Sequence, residues 1–198
     1  LLLVDIYSRA EKLNIENKVP RVVYLIQTDI EENTDILDLT KSVFDIREQD
    51  FLTLIDEKNI ILVRELDEND SRDEIEKVAR DLNAALTEKL GADVYISLGT
   101  IVNNLKNISL SYKEAKMAME VGKIFNIEGK IINYQYLGVV RLIYQLPTSL
   151  CKIFITEVLH GFSTEQLDQE LITTVAKFFE NNLNVSETSR QLYIHRNT

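Results

Sequence analysis

The stretch Leu1 to Ile15 carries apolar residues at Leu2, Leu3, Ile6, Ala10 and Leu13. That spacing predicts an amphipathic helix whose face is to be covered by this domain or by a second subunit. From Val22 to Ile26 the chain is continuously apolar and rich in β-branched residues, the pattern of a strand covered on both faces. Ile36, Leu37, Thr40, Val43 and Phe44 return to helical spacing and predict a helix crossing back over the sheet. Two apolar runs, Phe51 to Ile55 and Ile60 to Val63, flank the polar Asp56-Glu57-Lys58-Asn59 and predict a hairpin. Ser71 and Glu74 have capping-box spacing before a face of Ile75, Val78, Ala79, Leu82, Ala85 and Leu86, and Gly91 offers a left-handed stop. "DVYISLG" reads as a strand ending at Gly99. In the next helix Ser111, Ala115, Ala118 and Gly122 form a small-residue stripe that lets its backbone approach a neighbour. "KIINYQYL" reads as a closing strand, with Tyr134 and Tyr136 alternating along it.

From Val22 to Tyr136 the predicted order is β-α-β-β-α-β-α-β, an α+β sheet packed with helices. After Leu137 the pattern changes and Pro147 interrupts an apolar stretch. "TSLCKIFITEVLHG" and "TEQLDQELITTVAKFFENN" predict helices, the second with Leu167, Leu171, Val175, Phe178 and Phe179 inward and Asn181-Asn182 as its stop. Two domains are expected, over 1–136 and 137–198, the second entirely helical.

The last fifteen residues, "NVSETSRQLYIHRNT", fit a short helix capped by Ser186 with Val185, Ser189 and Leu192 inward. Ile194 is the apolar residue of a turn, and His195-Arg196-Asn197-Thr198 begin another helix. A small residue on one helix, an apolar residue in the turn and a polar, basic start to the next helix meet the needs of a helix-turn-helix. The helices cross closely there, and the second helix brings its N-terminal residues to base edges and phosphates.

Charge sharpens this picture. The formal net charge is -10, which opposes non-specific binding to nucleic acid over the body of the chain. Beyond Thr188 the charged side chains are Arg190 and Arg196, with a titratable His195, so the tip is basic on an acidic body. The single cysteine, Cys151, lies at an apolar helical position and reads as a buried thiol, which suits a reducing cytoplasm. His160 and His195 have no cysteine or carboxylate cluster at metal-ligand spacing, and His160 before Gly161 suits a helix C-terminus. No metal and no cofactor are expected. Gly91 and Gly99 are too far apart for a phosphate loop, and no nucleophile-base pair is visible. No apolar run reaches transmembrane length. The chain begins at Leu1, which reads as an excerpt of a longer protein.

The run from Glu170 to Thr198, with Asn184, Ser186, Thr188, Leu192 and the ending "HRNT", resembles the C-terminal helix-turn-helix of the PucR and CdaR (sugar diacid regulator) families of bacterial transcription factors. "ISLGTIVNNLKNISLSYKEAKMAMEVGKIF", with Gly99, Ser111-Tyr112 and Ala115, is similar to the GGDEF-like domain that precedes that module. Ser189 stands where the family has alanine, and Tyr193 where a generic helix-turn-helix often has glycine. The resemblance implies a DNA-binding regulator of a catabolic operon, for sugar diacid (glucarate, galactarate or glycerate) or, alternatively, purine use. It implies Ser186, Thr188, Arg190, His195, Arg196, Asn197 and Thr198 as DNA-binding residues. It also implies a homodimer on double-stranded operator DNA, a small-molecule effector taken by an N-terminal domain, a cytoplasmic location and no membrane partner. The family continues past "HRNT" with a basic helix, so the excerpt is expected to stop inside the recognition helix.

True GGDEF domains are diguanylate cyclases whose hairpin glycines admit GTP and whose carboxylates hold magnesium. This hairpin reads Ile55-Asp56-Glu57-Lys58-Asn59, without glycine. A solvated turn is therefore expected, not a catalytic loop, and no enzyme activity. A nucleotide-binding module and a dimerisation scaffold remain the alternative roles for this domain.

Overall fold

The computed structural model describes residues 3–28, 36–67, 70–125, 127, 129–158 and 168–195, with the side chains of residues 3 and 4 left aside. The chain divides into two compact units, Leu1–Gln145 and Leu146–Thr198.

The first unit is an α+β domain. Helix α1 (Leu3–Lys12) is followed by strand β1 (Arg21–Thr28), helix α2 (Ile36–Val43), the hairpin β2 (Phe51–Leu54) and β3 (Asn59–Glu65), helix α3 (Arg72–Leu90), strand β4 (Val94–Leu98), helix α4 (Ile108–Ile124), strand β5 (Ile131–Asn133) and helix α5 (Val140–Tyr144). The five strands lie in the order β2-β3-β1-β4-β5, antiparallel except for β4 and β5.

Central β1 explains its own sequence. Val22, Tyr24 and Ile26 enter a core completed by Ile36 of α2 and Ile75, Ala79, Leu82 and Leu86 of α3, while Val23 and Leu25 face Ala115 and Met119 of α4. Both faces are covered, so the strand is apolar throughout. Helix α3 starts as its capping box predicts, with the Glu74 N–H donating to Ser71 Oγ at 3.3 Å. It ends at Gly91, φ 61°, whose N–H donates to the Thr87 carbonyl.

The small-residue stripe brings α4 close against the sheet. Ser111, Ala115, Ala118 and Gly122 are all buried. Ser111 Oγ accepts from the Val23 N–H at 3.2 Å, and Ser97 Oγ donates to the Ala115 carbonyl at 2.7 Å. A Cβ on Gly99 would lie 1.9 Å from the Ser111 carbonyl oxygen, so β4 must end in glycine for α4 to sit where it does.

Beneath α2 the alternation of β3 brings Arg64 inward. It meets Asp50 at 2.6 Å, both side chains buried, and lies over the Phe44 ring at 5.0 Å. Arg47 forks onto Asp70 at 2.7 and 2.9 Å and holds that carboxyl below the usual carboxylate range. Tyr24, its hydroxyl donating to the Ile75 carbonyl, has its pKa raised by burial.

One expectation changes. The closing strand stops at Asn133, because the Asn133 side chain accepts from the Gln135 N–H and caps a 3-10 turn over Tyr134–Tyr136. Of the face expected on α1, Ala10 is buried within the unit and Leu13 is 69% exposed; Leu2 lies outside the described residues. The first unit includes α5, whose Val140 and Tyr144 pack with Leu137 against Ala118 and Val121.

The second unit contains α6 (Thr148–Val158), α7 (Gln169–Glu180) and α8 (Val185–Leu192). Cys151 is only half-buried, with a free thiol. Leu171, Val175 and Phe179, expected inward on α7, remain exposed; Leu167 and His160 lie outside the described residues. Among the described residues no helix is long and apolar enough to cross a membrane.

Candidate nucleic-acid interface

The interface is assembled from α7, α8 and the turns that bracket α8. Asp168 caps α7, accepting from the Leu171 N–H at 2.7 Å. The helix ends at Asn181, and the next two residues, Asn182 and Leu183, take positive φ of 51° and 64°. The Leu183 N–H returns to the Phe178 carbonyl at 2.8 Å, which reverses the chain. Asn184 then caps α8, accepting from the Glu187 N–H at 3.1 Å. The cap is therefore Asn184, not Ser186, because the Asn184-x-x-Glu187 spacing places its side chain over the first turn.

Thr188 is the buried centre of the α7–α8 crossing, 4% exposed. Its hydroxyl donates to the Asn184 carbonyl at 2.9 Å and accepts from Asn181 Nδ2 at 3.3 Å. Asn181 also donates to Gln191 Oε1 at 3.2 Å, and Gln191 donates to Glu187 Oε1 at 3.0 Å. A hydroxyl consumed inside the crossing cannot also aim at a phosphate, so Thr188 is a positioning residue. Val185, expected inward, is 51% exposed; the inward residues are Thr188 with partly covered Ser189, Leu192 and Ile194.

Helix α8 ends on Tyr193 in the left-handed conformation, φ 57°, with its ring almost fully in solvent. The Ile194 N–H reaches the Ser189 carbonyl at 3.0 Å and the Tyr193 N–H reaches the Arg190 carbonyl at 3.3 Å, the paired bonds of a Schellman stop. Glycine suits this position, and tyrosine occupies it at a cost in backbone strain.

Ser186, Arg190 and His195 lie on the exposed part of this unit. Arg190 is held by Glu187, at 2.7 and 2.8 Å to its two carboxylate oxygens. That contact, and then the Gln191 bond, keep the Glu187 carboxyl below the usual range. Arg196, Asn197 and Thr198 lie outside the described residues. Asn181, Asn184, Glu187 and Gln191 were not among the expected site residues, although the Asn184–Glu187 spacing is itself a legible cap signal.

In the first unit the hairpin turn does not fit a nucleotide-metal site. Asp56 accepts from the Lys58 N–H at 2.9 Å and from Asn59 Nδ2 at 2.8 and 2.9 Å, and these bonds keep its carboxyl below the usual range. The acid serves the turn itself.

The family profile of the GGDEF-like domain matches residues 3–121, and that of the PucR C-terminal helix-turn-helix domain matches residues 171–198. The chain belongs to the GGDEF-like domain family and carries a PucR-type helix-turn-helix behind that domain. The Carbohydrate diacid regulator of Escherichia coli (strain K12) is 26% identical over 203 aligned positions, covering 96% of this chain and 51% of that protein. The Purine catabolism regulatory protein of Bacillus subtilis (strain 168) is 29% identical over 106 positions, covering 53% of this chain and 20% of that protein. The chain thus spans about half of one curated relative and a fifth of the other. The crystal structure of the Regulator of Polyketide Synthase Expression from Bifidobacterium adolescentis overlays with a TM-score of 0.46 at 12% identity, covering 96% of this chain and 72% of that one. Most of α7 and all of α8 fall within the residues that the helix-turn-helix profile matches.

Proposed function

We propose that this GGDEF-like, PucR-type chain belongs to a DNA-binding transcription regulator of a catabolic operon, and that it performs no nucleotide chemistry. The observation that carries the reading is the α7–α8 crossing pinned through Thr188 and Asn181, with the Tyr193–Ile194 stop ending α8 just before His195, within the residues the helix-turn-helix profile matches. In this reading Ser186 and Arg190 meet phosphates, and His195 to Thr198 open the helix that reads bases. The operator is bound by a homodimer, and an effector acts through a separate N-terminal domain of a cytoplasmic protein.

Carbohydrate diacid use is the preferred regulon, because the diacid regulator aligns along 96% of the chain. Purine catabolism is the second reading, supported by the 29% identity to the Bacillus protein. The glycine-free hairpin, with Asp56 tied to Lys58 and Asn59, supports a role other than cyclase.

The test is fluorescence anisotropy of the protein as its gene encodes it, titrated onto promoter fragments of diacid and purine operons over a salt series. Selective binding is expected, weakened by Arg196→Ala and unchanged by Lys58→Ala. Equal affinity for all fragments, insensitive to Arg196→Ala, would overturn the reading.

A further inference from the structure

At the β5 edge of the sheet, the opposite edge from the β2–β3 hairpin, the first unit holds a cleft of about 290 Å³. Ile127, Ile131 and Leu137 give it apolar walls, and Glu76 and Arg80 of α3 stand at its mouth with Tyr136. The regulator reading makes no use of it.

The ladder geometry supplies its hydrogen-bonding groups. Ile96 and Ile131 are register partners in the parallel β4–β5 pair, and the Ile96 N–H donates to the Lys130 carbonyl at 2.8 Å. In a parallel ladder that arrangement turns the N–H and C=O of residue 131, and of residue 133, away from β4. As β5 is the last strand, the Ile131 carbonyl and the Asn133 N–H face outward side by side. Neither has a backbone partner among the described residues. The outer edge of a last strand presents unpaired N–H and C=O groups, so an acceptor and a donor side by side next to an apolar cleft form a recognition edge.

The mouth narrows the ligand class. The Glu76 carboxylate accepts from Asn133 Nδ2 at 3.4 Å and lies 3.7 Å from Arg80 Nη1. Its charge is balanced within the protein, and a ligand needs none. The Tyr136 ring is 64% exposed and leaves a face free for stacking. The volume is at the lower end of small-molecule sites, about 300 Å³, which suits one ring system. Three residues of β5 offer a single outward acceptor-donor pair, too little edge for an added peptide strand.

We propose that this cleft binds an uncharged planar heterocycle of the nucleobase class, whose adjacent donor and acceptor pair with the Ile131 carbonyl and the Asn133 N–H. The ring rests on the apolar walls and is closed over by Tyr136. This site is separate from the DNA-reading unit, and its failure leaves the regulator reading intact.

The experiment is NMR titration of the ¹⁵N-labelled chain with inosine and with adenosine, each beside a counterpart whose edge donor is methylated, 1-methylinosine and N6,N6-dimethyladenosine. At least one nucleoside should give saturable shifts centred on the Asn133 amide, with its methylated counterpart at least tenfold weaker. Tyr136→Ala should weaken that nucleoside by about tenfold, as expected for loss of a base-stacking ring, with the rest of the spectrum unchanged. No saturable shift at Asn133 with either nucleoside, equal binding of the methylated compounds, or shifts centred on the hairpin at residues 56–59 would each overturn the proposal.

Discussion

Replacing Gly99 by alanine tests the junction on which the first unit is built. The added Cβ would stand 1.9 Å from the Ser111 carbonyl oxygen and 2.6 Å from both its carbonyl carbon and its Oγ. Reaching even 3.0 Å requires α4 and the end of β4 to separate by about 1.1 Å. The obstacle is backbone, so no rotamer change relieves it. A gap of 0.5–1 Å forfeits about a quarter to a half of each dispersion contact it opens, and the contacts at stake are those of buried Ser111, Ala115, Ala118 and Met119. The Ser111 Oγ bond to the Val23 N–H is strained by the same movement. Overpacking of this kind costs about 1–3 kcal/mol, and a backbone clash belongs at the upper end. For a unit of this size, about 3 kcal/mol lowers Tm by about 6–12 °C. Gly122→Ala is the internal comparison: its Cβ would meet Ile132 Cδ1 at 2.1 Å, the far end of a side chain that can rotate, so a loss of about 1 kcal/mol is expected. Thermal unfolding of both variants by circular dichroism gives the ranking. A Gly99→Ala protein as stable as wild type, or more stable than Gly122→Ala, would refute the reasoning.

Asp50→Asn strands the buried Arg64 guanidinium and should cost about 3–5 kcal/mol in urea unfolding; a loss below 1 kcal/mol would mean the pair is open to water. Because Arg47 depresses the Asp70 pKa, that carboxylate contributes stability above its unfolded value of about 3.9 and loses it as pH falls through the lower folded pKa, so Asp70→Asn should be less stable at neutral pH and have a shallower acid-unfolding curve below pH 4. Tyr193→Gly relieves a left-handed residue whose side chain packs on nothing, and should raise the stability of the α8 stop by about 0.5–1 kcal/mol after the greater unfolded freedom of glycine is counted, measured by hydrogen exchange of the Ile194 amide. Glu187→Gln releases Arg190 and removes a negative charge beside the surface proposed to meet DNA, so DNA affinity should rise, with the steeper salt dependence of about one added phosphate contact.

Much of the sheet domain is legible in the sequence because its two periods are strong and its punctuation is local. The β1 run, the Ser71 cap and the stripe from Ser111 to Gly122 each state their packing within one segment. What escapes is decided by a single side chain or by distance along the chain. Tyr134 and Tyr136 alternate like strand residues, yet the Asn133 side chain captures the Gln135 N–H and turns the backbone. Arg64, just after the apolar run Ile60 to Val63, gives no local sign of being buried, because its partner Asp50 lies fourteen positions earlier across the hairpin. In the candidate site, Asn184 and Ser186 are both good caps; the Asn184-x-x-Glu187 spacing favours Asn184, and the reversal at Asn182 and Leu183, both at positive φ, starts the helix there. Thr188 resembles an exposed phosphate ligand until its hydroxyl is seen between Asn184 and Asn181.

The central claim, a regulator that reads DNA through the helix-turn-helix, is tested most directly by chromatin immunoprecipitation of the epitope-tagged protein expressed from its own gene. The account predicts enrichment at a small number of discrete sites upstream of catabolic genes, lost with Arg196→Ala and retained with Lys58→Ala. Enrichment that is absent, or spread evenly over the genome and indifferent to Arg196→Ala, would contradict it.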